Sequence, residues 1–123
     1  MKLKELTEYF QENLYEMSTY LDRNTGLPTG TKLWVRTEPK ALQHVKYHIK
    51  ISHPQKGSAV FALWGDEAKQ VTGDWEVTGK DLTKIQTLVA LTQKDLISHI
   101  DGTTDSADLT FALQRVKPQV EQI

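Results

Sequence analysis

The chain has 123 residues, 38% of them hydrophobic and 25% charged, with a formal net charge of -1. That balance is the composition of a globular chain and excludes one dominated by disorder, and a length near the usual domain size gives one α+β domain over residues 1–117 with a polar tail at 118–123. Cysteine is absent, which removes disulfides, thiolate metal sites and a cysteine nucleophile.

The start, Met-Lys-Leu-Lys-Glu-Leu-Thr-Glu, has acids where a signal peptide needs an apolar run, and no stretch approaches the roughly 20 apolar residues of a membrane span. A cytoplasmic protein with no membrane contact is expected. From Leu3, the apolar positions Leu3, Leu6, Phe10, Leu14, Met17 and Leu21 step by three or four and predict an amphipathic N-terminal helix. Glu5, Glu8, Glu12 and Glu16 form a second stripe on it, which is either a solvated face or a docking face for a basic partner. Residues 22–30, Asp-Arg-Asn-Thr-Gly-Leu-Pro-Thr-Gly, collect turn formers and end that helix in a loop.

Thr31 to Thr37 then alternates, with Leu33 and Val35 on one side and Lys32, Trp34 and Arg36 on the other. Residues 44–51 alternate more cleanly still: His44, Lys46, His48 and Lys50 share one face, and Val45, Tyr47, Ile49 and Ile51 share the other. If the two strands pair antiparallel through Glu38–Gln43, one outward face carries Lys32, Trp34, Arg36, His44, Lys46, His48 and Lys50. Residues 32–56 hold six Lys or Arg against one acid, Glu38, for a net charge of +5. In a chain of net -1 the remainder therefore sums to -6, so a basic strand region is set in an acidic protein.

His53-Pro54-Gln55-Lys56-Gly57 reads as a turn, and Ser58 to Trp64 as a strand apolar on both faces, either central in the sheet or covered on both sides. Gly65 to Ala68 reads as a hairpin connection. Lys69 to Val77 is a weaker strand whose Gly73 marks a bulge or an end of pairing. Thr78-Gly79-Lys80-Asp81 has capping-box spacing and opens the main helix, with the stripe Leu82, Ile85, Leu88, Val89, Thr92, Leu96, Ile97 and Ile100 and a stop at Gly102. Leu109, Ala112, Leu113 and Val116 outline a shorter C-terminal helix before Lys117-Pro118. The expected architecture is an N-terminal helix, a three- to four-stranded antiparallel sheet, a long helix and a short C-terminal helix, with the helices on one sheet face.

His44 and His48 stand about 13 Å apart on a strand, too far to share one ion, and no other ligand cluster appears, so neither a metal nor a cofactor is expected. A ribonuclease-like site can be written with His44 or His48 as acid or base and Lys46, Lys50 or Arg36 stabilising charge, but a polar sheet face explains the same residues, and no catalytic or phosphate-loop motif is present. Trp34 among cations also suits single-stranded nucleic acid, where rings stack bases and lysines follow phosphates. The expectation is a non-enzymatic module that binds a protein partner, with single-stranded nucleic acid or a second copy of the chain as the alternatives.

Tyr47-His48-Ile49-Lys50, the strand Ala59-Val60-Phe61-Ala62-Leu63-Trp64 and the helix segment Gln93-Lys94-Asp95-Leu96-Ile97 resemble DUF4160, a family of small bacterial proteins of unknown function often encoded near mobile-element genes. That family shows a His-x-His-aliphatic stretch after prolines, whereas this chain has Lys46 at the first histidine and no preceding prolines. The resemblance implies a bacterial or mobile-element origin and carries no activity.

Overall fold

The computed structural model describes residues 17–36, 47–64 and 67–123. In chain order its elements are β1 (Met17–Tyr20), α1 (Asp22–Thr25), β2 (Lys32–Arg36), β3 (His48–His53), β4 (Gly57–Trp64), β5 (Glu67–Gly73), α2 (Gly79–Ile100) and α3 (Ser106–Glu121). The strands form a sheet of order β1-β2-β3-β4-β5 with every neighbouring pair antiparallel. The class is α+β.

Alternation decides the register of the middle strands. Leu33 lies opposite Ile51, and Trp34 opposite Lys50, so the apolar sets of β2 and β3 fall on one face together. That face carries Leu33, Val35, Ile49, Ile51, Ala59, Phe61 and Leu63, all buried. Helix α2 packs over it against β2 and β5, and α3 packs against α2 and α1. Helix α2 supplies Ile85, Leu88, Val89, Leu96 and Ile100, and α3 supplies Leu109, Leu113 and Val120 to the same core. Helix α2 ends where glycine was expected to end it: Gly102 has φ +81°, its N–H donates to the His99 carbonyl at 3.0 Å, and that of Thr103 donates to Ser98 at 2.9 Å, satisfying carbonyls the helix leaves open.

Several expectations need correction. The predicted N-terminal helix falls largely on residues 1–16, outside the described residues, and its end at Met17–Tyr20 is instead strand β1, pairing Ser18 with Val35 and Tyr20 with Leu33. Thr19 and Tyr20 are strand formers, and pairing with β2 satisfies a backbone that helical spacing alone assigned to a stripe. The sheet has five strands, not three or four. The loop at 22–30 contains a single helical turn, Asp22–Thr25, closed by Gly26. Thr78 is the N-cap of α2 but its side chain makes no capping bond. The capping box forms at α3, where the Asp108 N–H donates to Asp105 at 2.9 Å and the Asp105 N–H donates to Asp108 at 3.2 Å. The tail expected from Pro118 is the last turn of α3. Pro118 removes one helix N–H, yet Val120, fully buried in the core, holds the turn in place.

Two contacts tie β1 and the residue before β3 to the C-terminal end of α2. The Tyr47 hydroxyl donates to the Asp101 carboxylate at 3.1 Å, and the Tyr20 ring meets His99 edge-on, centroids 6.4 Å apart. Burial raises the Tyr20 hydroxyl pKa above its ordinary value of 10.0, an effect that the nearby Ser18 and Ser106 hydroxyls temper. Among the described residues, the Tyr20 hydroxyl and both His99 nitrogens are buried with no hydrogen bond of good geometry. Both side chains are buried, Tyr20 at 3% and His99 at 4% exposure.

Candidate functional site

A β-strand turns successive side chains to opposite faces, so the strands that send Leu33, Ile49 and Ile51 to the core turn Trp34 and Lys50 to the other side. One cross-strand row on that outward face reads Thr19, Trp34, Lys50, Val60, Thr72, each opposite the next. Trp34 is its centre. The indole N–H donates to the Ser52 hydroxyl oxygen at 2.8 Å, and the Lys50 ammonium lies 5.9 Å from the ring centroid, within cation–π range. The ring is half-buried, pinned at its edge by one neighbour and crossed by the other. Lys32 is exposed, directly opposite Ser52, so Lys32, Lys50 and Ser52 form a rim around Trp34.

The seven residues proposed from sequence divide sharply. Lys32, Trp34 and Lys50 come together. His48, expected on the water-facing side, is only 3% exposed, and its outward neighbours Val60 and Ala62 are buried as well. Alternation assigns a face but not whether that face stays open, which is why the sequence placed His48 with the exposed cations. Arg36 contributes backbone to β2, paired with Met17. His44 and Lys46 lie outside the described residues. Ser52 was missed because β3 was ended at Ile51, although Ser52 lies two residues from Lys50 and therefore shares its face.

Lys56, counted with the basic segment, is spent elsewhere. Its ammonium is 2.7 Å from Asp81 in the first turn of α2 and 5.7 Å from the Trp75 ring centroid. Among the cations whose side chains the structure describes, Lys32, Lys50 and Lys69 belong to the outward face. Asp74 lies at its margin. The Ser58 N–H donates to the Asp74 carboxylate at 2.8 Å; this bond chiefly, with a smaller share from Lys50, lowers the Asp74 pKa below its ordinary value of 3.8.

A depressed folded-state pKa means that Asp74 adds stability above the unfolded value near 3.8, and that this contribution is lost as the pH falls through the lower folded value. Asp74→Asn is therefore expected to flatten the acid side of the stability–pH curve while lowering stability at neutral pH. Thermal melts across that acid range check this, and curves for variant and wild type that stay parallel into acid would reject it.

The rest of the described surface offers less. A shallow open depression of about 270 Å³ between α1 and the end of α3 is lined by Asp22, Arg23, Lys117 and Glu121 among others, and its Asp22 carboxylate is already taken by the Gly30 and Arg23 N–H groups at 2.8 Å each. Among the described residues, no three His, Asp or Glu side chains gather to hold a metal ion, and no helix is long and apolar enough to cross a membrane. Comparison with protein-family models, curated proteins and solved structures finds no match to the chain.

Proposed function

We propose that the chain is a protein-interaction module that engages its partner through the outward face of β2 and β3, centred on Trp34. The observation that carries this reading is the built environment of the indole: a half-exposed tryptophan held by Ser52 and crossed by Lys50. A ring fixed in this way loses little freedom on binding, and tryptophan is enriched among the few residues that dominate interface energy. Two of the stretches that carry the DUF4160-like resemblance, 47–50 and 59–64, lie largely in β3 and β4 and so belong to the same platform.

Single-stranded nucleic acid is the second reading, favoured by the same aromatic ring among lysines. It is weakened by the burial of His48 and by the pairing of Lys56 with Asp81, because non-specific affinity for phosphates grows with the number of cations that meet them. Pulldown from host lysate, with and without nuclease, separates the two. A protein captured by the wild type, resistant to nuclease and lost with Trp34→Ala, is the expected result. Nucleic acid recovered instead would favour the second reading, and identical recovery with Trp34→Ala would reject the site.

A further inference from the structure

The charged groups that rim Trp34, Lys32 and Lys50, are both cations. Lys32 and Lys50 carry ammonium groups, which have no lone pair to offer. Ser52 uses its oxygen to accept from the indole N–H at 2.8 Å, which leaves its hydroxyl hydrogen to donate outward. Ser52 and Lys50 are two residues apart on the same face of β3, about 7 Å along the strand, and Lys32 stands opposite Ser52 in register. Two cations and a hydroxyl thus stand beside an aromatic surface. The only described carboxylate at this margin, Asp74, is held by the Ser58 amide.

From this arrangement we infer that the partner segment is acidic, presenting carboxylates to Lys32, Lys50 and Ser52 and an apolar side chain to Trp34; this rests on the protein-binding reading above. Charge complementarity selects the chemistry. A carboxylate accepts from both lysines and from the serine hydroxyl, whereas a lysine or arginine brought to the same rim meets the like charge of Lys32 and Lys50. The indole supplies what the charges do not. Trp34 is half-buried with Lys50 over its ring, and the exposed part of the indole offers an apolar contact to an aliphatic or aromatic side chain. A short acidic peptide needs no more than the two lysines of the rim, placed where the ring adds apolar contact.

The test uses fluorescence anisotropy with three labelled probes: a short peptide in which Asp and Glu alternate with Leu, the same peptide with Lys in place of the acids, and a dT oligonucleotide of equal length. Binding of the acidic peptide alone is expected, weakened about tenfold or more by Lys50→Glu and by raising the salt toward 1 M, where the screening length is about 3 Å. Ser52→Ala, which frees the indole as well as removing a donor, is expected to weaken it too, while far-UV circular dichroism stays unchanged. Equal binding of the acidic and lysine peptides, or no binding of the acidic one, would overturn the inference, as would tighter binding of the oligonucleotide.

The native partner distinguishes failure here from failure of the broader reading. Capture that needs Trp34 but survives the Lys32→Glu, Lys50→Glu double substitution keeps the interaction face and removes the acidic partner. Capture indifferent to both sets of changes removes both.

Discussion

Gly73→Ala is expected to destabilise the protein by about 3 kcal/mol or more, the sum of a residue forced into a positive-φ conformation and of overpacking against a fixed wall. Gly73 has φ +129°, and a Cβ built on it meets the Ser58 carbonyl oxygen and comes within 2.6 Å of the Ala59 Cα. Both are backbone atoms of β4, so no side chain can move aside. The close approach has a purpose. Beyond Gly73 the chain crosses over Ser58, whose N–H donates to Asp74 at 2.8 Å and whose carbonyl accepts from the Trp75 N–H at 3.1 Å. That clamp delivers Trp75 and Val77 to the core.

Pushing β5 away from β4 at this point therefore loosens the clamp and the packing behind it together. A thermal midpoint lower by roughly 10 °C is the readout expected for a chain of this length. Gly79→Ala is the control, because Gly79 also has positive φ, +61°, but a Cβ there meets nothing within 4 Å. Its cost is confined to the conformational part, about 1 to 2 kcal/mol. Equal losses for the two variants would show that the strand approach at Gly73 contributes nothing.

Much of this architecture is written in local pattern, and the parts that were misread show where pattern stops. The alternations over Leu33–Val35 and Ile49–Ile51 defined faces and register because a slip of one residue would turn the whole apolar set to water. The stripe from Leu82 to Ile100 defined α2 over its full length. Strand β1 was hidden because Met17 and Leu21 continue the spacing of Leu14, and four residues are too few for alternation to outweigh it. The signal present was Ser18-Thr19-Tyr20, three residues better suited to an extended edge than to a helix interior.

Position within the tertiary fold decided the remainder. Thr78 and Asp81 have the right spacing for a capping box, but Asp81 is drawn to Lys56 across the turn, and Thr78 caps without its side chain. Pro118 stays helical because of Val120, a residue whose burial no local rule reveals. The site divides in the same way. Trp34 and Lys50 were legible as neighbours once two strands were paired, whereas the burial of His48 depends on what lies over its side of the sheet, which alternation does not encode.

Phe61→Ala is expected to cost about 3 to 5 kcal/mol, a large part of the 5 to 15 kcal/mol that holds an ordinary domain folded. Phe61 is 0% exposed and stands in register between Ile49 of β3 and Gln70 of β5, so its ring is packed from both sides as well as by the helices above. Removing it leaves a cavity at the middle of the sheet, where β4 is hydrogen-bonded on both edges and cannot collapse inward without breaking its pairing. Phe111→Ala makes the same chemical change on the outer surface of α3, at a residue 66% exposed, and is expected to shift stability by less than about 0.5 kcal/mol. Chemical denaturation of the pair isolates burial from the loss of a ring. The damage also reaches the outward face, since Val60, directly opposite Lys50, is the neighbour of Phe61 on β4. A Phe61→Ala variant that remains folded should therefore show a shifted Trp34 indole N–H resonance, while Phe111→Ala leaves it in place. A large stability loss with that resonance unmoved would mean that the platform under Trp34 is held by β2 and β3 alone.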